Sequence, residues 1–123
     1  MIAAADAPIV SILNDLQTST AGLSVVYLVS ATGRGVASSA ATMLDRTQLS
    51  GTSAASMAIA RKACRLREFG ALKQISILGT SGSIFLLSVG TTAVLVLVTS
   101  GDTAPEPIID AGERVAKRLE AMI

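Results

Sequence analysis

The sequence predicts an α+β domain whose sheet lies between two layers of helix, in the order α-β-β-α-β-β-β-α. Three observations predict it. An uncharged run over residues 74–101 is cut by turn clusters into strand-length pieces. The last piece, AVLVLV, is apolar on both faces, so both faces of that strand are covered. Segments with helical periodicity precede, interrupt and follow the strands.

At 123 residues the chain fits one domain, spanning residues 1–123. Half its residues are hydrophobic and 15% are charged, and its mean hydropathy is +0.60. Such a chain either enters a membrane or buries more surface than a lone small domain usually does. The 28 residues from 74 to 101 are long enough for a helical span. Their pattern argues against one. Gly79, Thr80, Ser81 and Gly82 interrupt the run. So do Ser88, Gly90, Thr91 and Thr92, and again Thr99, Ser100 and Gly101. Between these clusters lie Ile-, Val- and Leu-rich runs of strand length, which predict a meander over 74–78, 83–89 and 93–99. The first of these alternates Ile75 and Ile77 with Gln74 and Ser76, the pattern of an edge or interface strand. Self-association is then the simplest way to cover the remaining apolar surface.

The elements follow in order. Pro8 suits a first helical turn, and Ile9, Ile12, Leu13 and Leu16 repeat at helical spacing until Thr20 to Gly22 end the helix. SVVYLVS (24–30) is a β-branched strand, and Gly33-Arg34-Gly35 reads as a hairpin turn into VASS. Residues 46–70 form the longest helical pattern. Its apolar face (Leu49, Ser53, Ser56, Met57, Ala60, Ala63 and Cys64) is mostly small, Arg61, Lys62 and Arg65 are expected opposite it, and Gly70 is the expected stop. The last helix is expected to open on a capping box, Thr103-Ala104-Pro105-Glu106. Its apolar stripe is Ile108, Gly112, Val115, Leu119 and Met122, with Glu113 and Lys117 as an i, i+4 pair.

Composition excludes several functions. A net charge of +1 supplies no basic field for nucleic acid. Tyr27, Phe69 and Phe85 are too few to stack bases. There is no histidine, hence neither the commonest general base nor the commonest metal ligand, and no metal or cofactor is expected. The nine acids are scattered over turns and helix ends without a catalytic constellation, so no catalytic residue is assigned and no enzyme activity is expected. Cys64 is the only cysteine and fits a reducing compartment; among small residues it reads as a buried structural thiol. Gly33-Arg34-Gly35 and GTSGS (79–83) lack the Lys-Ser/Thr of a phosphate loop and read as turns. MIAAADAPIV lacks a basic leader and meets Asp6, which reads against a signal peptide and toward a cytoplasmic protein.

SVVYLVSATGRGVASSA (24–40), and the small-residue helix leading into ALKQISILGTSGSIFLLSVGTTAVLVLVTSG (71–101), resemble the roadblock/dynein light chain superfamily, bacterial GTPase-associated type. The resemblance implies a roadblock (profilin-like) fold: a five-stranded antiparallel sheet between one central helix and a pair of terminal helices. It implies a homodimer joined through the edge strand at Lys73, Gln74, Ile75, Ser76 and Ile77, with central helices meeting at small residues such as Ala54 and Ala58. It also implies a non-enzymatic regulator or adaptor of a small Ras-like GTPase in bacterial signalling, with Arg61, Lys62 and Arg65 as partner-binding residues. Any stimulation of hydrolysis would reshape the GTPase's own site, with Arg61 or Arg65 the residues to test as an arginine finger. The alternative is a scaffold subunit that binds a larger partner whatever its nucleotide. A small-ligand sensor is disfavoured, because small-residue packing leaves little room for a pocket.

Overall fold

The computed structural model describes residues 7–39 and 46–123; the leader region through Asp6 and the end of the small-residue run at Ala40 lie outside the described residues. The elements are α1 (Ala7–Ser19), β1 (Leu23–Ser30), β2 (Gly35–Ser38), α2 (Arg46–Leu66), β3 (Gln74–Leu78), β4 (Gly82–Val89), β5 (Ala93–Ser100) and α3 (Pro105–Glu120). This is the expected order. The strands form one sheet, β2-β1-β5-β4-β3, antiparallel at every junction.

Strand β5 is central, paired with β1 from Leu23↔Thr99 to Ser30↔Ala93 and with β4 from Gly82↔Ser100 to Val89↔Ala93. Alternate side chains of a strand face opposite ways. Leu95 and Leu97 pack with Ile9, Leu13 and Leu16 of α1 and Ile108 and Leu119 of α3. Val94 and Val96 join Val25, Tyr27, Val29 and Leu86 around Met57 of α2. Both faces are therefore covered, which is why AVLVLV carries no polar alternation.

Helix α1 buries Ile9, Ile12, Leu13 and Leu16, the four residues of its stripe. On α3, Ile108, Gly112, Val115 and Leu119 are buried, while Met122 lies exposed beyond the helix. Gly112 lets α3 approach the sheet closely: a Cβ there would lie 2.6 Å from Cδ1 of both Leu87 and Leu97.

Two helix ends differ from expectation. Helix α3 has no capping box. Its N-cap is Ala104, with no side-chain cap bond, and Pro105 opens the helix. Thr103 Oγ1 instead donates to the Ser100 carbonyl at 3.3 Å, closing the turn out of β5. Helix α2 ends at Leu66, ahead of Gly70. Phe69 N–H donates to Cys64 O at 2.9 Å and Glu68 N–H to Arg65 O at 3.2 Å. That pair of bonds, around Glu68 at φ 57, is a Schellman ending with a glutamate in the left-handed position. The expected packing face of α2 also loses Ala63, which is exposed.

Candidate interaction surface

Tyr27 and Ser50 fix α2 on the sheet. Ser50 Oγ donates to the Tyr27 hydroxyl at 3.0 Å, and both residues are buried. Ser53 and Met57 continue the buried line, with Leu49, Ala60 and Cys64 half-buried beside it. Cys64, expected to be buried, is thus partly accessible.

At about 100° per residue, Ile59 and Leu66 point about 200° and 180° from Met57, straight away from the sheet. They are 73% and 72% exposed, and Phe69 beyond the helix is 72% exposed. Ala55, Ala58 and Ala63 are exposed on the same outer half. These large apolar residues were not among the sequence-derived site residues. Their signal was legible, since Ile59 and Leu66 are seven residues apart on the side opposite Met57.

The chain from Phe69 leads into β3. Among the described residues this strand pairs with β4 alone, and its other edge carries no strand. Ser88 N–H donates to Lys73 O at 3.0 Å, and Gly79 N–H to Gly82 O at 2.8 Å. Bonded and non-bonded pairs alternate in an antiparallel ladder. The register Gln74↔Leu87 to Leu78↔Ser83 therefore makes Ile75 and Ile77 the bonded residues. The N–H and C=O groups of Gln74, Ser76 and Leu78 point outward along the free edge. Ile75 is half-buried with the Met57 cluster, while Ile77 and Leu78 are 43% and 68% exposed. Ile77, Ile84 and Val98 line an open hollow of about 270 Å³ with Gly79, Gly82, Ser83 and Thr99.

The three sequence-derived partner residues separate. Lys62 and Arg65 are exposed, but Arg61 is half-buried. About 40° from Met57, Arg61 lies toward the packing side rather than opposite it. Of the expected helix contacts, Ala58 is exposed, whereas Ala54 is half-buried beside Gly33 of the β1–β2 turn. That turn is a hairpin: Gly33 N–H donates to Ser30 O at 3.0 Å, and Arg34 N–H to Ser30 Oγ at 3.0 Å. GTSGS likewise joins β3 to β4 as a turn. Room for a ligand is greater than small-residue packing suggested. A cleft of about 450 Å³ opens between α3 and the β3–β4 ends, lined by Lys73, Glu113, Lys117 and Glu120 among others. Among the described residues, no cluster of acids or cysteine has the arrangement of a metal site, and no helix is long and apolar enough to cross a membrane.

The geometry matches known proteins. MglB of Myxococcus xanthus superposes with a TM-score of 0.86 at 22% identity, over 94% of each chain. An MglB with a tetrameric arrangement gives 0.87 at 21% identity, over 99% of this chain and 92% of that one. A Roadblock/LC7 domain from Streptomyces avermitilis gives 0.83 at 12% identity, over 91% and 94%. No curated protein sequence matches. The family model described as Roadblock/LC7 domain matches residues 9–99, from the first buried residue of α1 to the last buried residue of β5, and the chain belongs to that family.

Proposed function

We propose that this chain is a non-enzymatic, homodimeric regulator or adaptor of a small Ras-like GTPase. The observation that carries the reading is the apolar surface of α2, Ile59 and Leu66 with Phe69 beyond them, left uncovered beside an unpaired strand edge. Large apolar side chains grouped on a folded surface mark a protein contact. Pairing two β3 edges about a two-fold axis joins the sheets and brings the two α2 helices together as one platform. Membership of the roadblock family supports the GTPase as the partner, and the MglB solved in a tetrameric arrangement supports self-association.

Lys62 and Arg65 flank the apolar stripe and suit an acidic rim on the partner. Arg61 is a poor arginine finger, because one guanidinium nitrogen is buried within its own domain. Arg65 is exposed and is the one to test.

The test uses the Ras-like GTPases encoded in the same genome, each loaded with GDP or with a non-hydrolysable GTP analogue. Binding that prefers one nucleotide state supports the regulator. Equal binding in both states identifies a scaffold subunit, and binding to none removes the GTPase from the model.

A further inference from the structure

We propose that β3 pairs with β3 of a second copy of this chain about a two-fold axis that stands perpendicular to the sheet at Ser76, so that Ile75 of each copy lies directly against Ile77 of the other. This rests on the reading that the β3 edges join in a homodimer, and adds which residue occupies the axis.

The edge is open to pairing. Residues 74–78 contain no charge and no proline, and their register with β4 is unbroken. Charges, prolines and bulges are the devices that keep a lone edge strand unpaired. A two-fold axis perpendicular to the sheet makes the joined strands antiparallel and keeps the Met57 side of both sheets on one face. In such a ladder, a residue whose N–H and C=O point across the junction must stand opposite another residue of that kind. Gln74, Ser76 and Leu78 are the outward residues here, as the register with β4 requires. An axis between two residues would set each of them against an inward residue, so the axis passes through a residue.

Two independent criteria select Ser76. The first is backbone pairing. With Ser76 on the axis, Ser76 stands opposite Ser76 and Gln74 opposite Leu78, so every outward residue of the strand has a partner. With Ile77 on the axis Gln74 faces Thr80, and with Ile75 on the axis Leu78 faces Leu72, each outside the strand. The second criterion is side-chain matching. Ile75 belongs to the Met57 face, and Ile77 shares that face by strand alternation. The Ser76 axis sets Ile75 opposite Ile77 on both sides of it, in non-bonded pairs, whose side chains come closest. This covers Ile77, which is 43% exposed in the single chain. The Ile75 axis would set Ile77 against Lys73, and the Ile77 axis would set Ile75 against Gly79.

Cysteine cross-linking reads the register. Every variant carries Cys64→Ala to remove the native thiol. A disulfide needs Cα atoms within about 7 Å of one another. Across the Ser76 axis the two Ser76 Cα atoms stand about 5.5 Å apart, and Ile75 about 4.5 Å from Ile77 of the other copy. The two Ile75 residues, like the two Ile77 residues, are offset by two residues along the strands and lie about 8 Å apart. Ser76→Cys should therefore link to its own copy under mild oxidation. Ile75→Cys and Ile77→Cys should each fail to link alone, yet link to one another when co-expressed under different tags. Linking by Ile75→Cys alone or by Ile77→Cys alone, or no linking by Ser76→Cys in a protein that sediments as a dimer, overturns the register and leaves the dimer in place. A folded wild type that sediments as a monomer at micromolar concentration removes the dimer and the register together. Ser76 is exposed, so Ser76→Cys decides by itself if an isoleucine variant fails to fold.

Discussion

Ser50 Oγ and the Tyr27 hydroxyl are 3.0 Å apart, and their hydrogen bond is a buried polar link between α2 and the sheet. Tyr27 also fills the space beside Gly35, where a Cβ would collide with its ring. Tyr27→Phe leaves the Ser50 hydroxyl buried without its partner. It should cost about 1–2 kcal/mol, and Ser50→Ala a comparable amount. The double variant should cost clearly less than the sum, because the second change removes the stranded group. Urea denaturation of the four proteins checks this, and strictly additive losses would show that the bond contributes nothing.

Glu68 ends α2 in a left-handed conformation at φ 57, which is costly for a residue with a Cβ. Glu68→Gly should therefore stabilise the domain by about 1 kcal/mol, unlike most glycine substitutions. Gly70→Ala, at φ +86, should destabilise by a similar amount. Opposite shifts in the denaturation midpoints are the expected result.

Ser76→Pro addresses the strand edge. The Ser76 N–H points away from β4, so proline there removes an outward donor and leaves the β3–β4 ladder bonds in place. The wild type is expected to sediment as a dimer at micromolar concentrations, and the variant as a folded monomer. A wild-type monomer, or a dimer indifferent to Ser76→Pro, would exclude this edge as the interface.

Ile59→Glu and Leu66→Glu change only the outward face of α2. Each should alter folding stability by no more than about 0.5 kcal/mol, the usual range for surface sites. Each should weaken GTPase binding by about tenfold or more if the stripe is the desolvated centre of the contact. Calorimetric titration beside thermal denaturation separates these effects.

Reversing Lys62 and Arg65 together to glutamate should act mainly on association. The on-rate should fall at low salt, and the difference from wild type should shrink as salt screens the rim. Stopped-flow binding at two ionic strengths gives the comparison. Arg61 is left out because it is half-buried with one guanidinium nitrogen inaccessible, so a change there would confound binding with folding.

Much of the fold was legible in the sequence because burial leaves a periodic trace. Ile9, Ile12, Leu13 and Leu16 marked α1, and the turn clusters divided residues 74–101 within a residue or so of the observed strand ends. The capping box failed because the helix starts one residue later than the box requires: Ala104 is the N-cap, and the Thr103 hydroxyl donates back to Ser100 O. The stop of α2 was misplaced because glycine is the usual left-handed residue, yet Glu68 takes that conformation here. The interaction surface was half legible. Alternation in β3 identified an edge, but a charge run alone could not separate exposed Lys62 and Arg65 from half-buried Arg61.

The sequence by itself determined the order of elements, the two-sided burial of β5 and the weaker burial of β3, since each depends on side-chain periodicity along one segment. Only the tertiary structure decided that β5 stands between β1 and β4, that β3 keeps one edge free among the described residues, and that Arg61 is half-buried while Lys62 and Arg65 are exposed. These depend on which segments meet across long stretches of chain. Periodicity specifies that a face is buried, whereas the partner that buries it is set by how all the faces pack together.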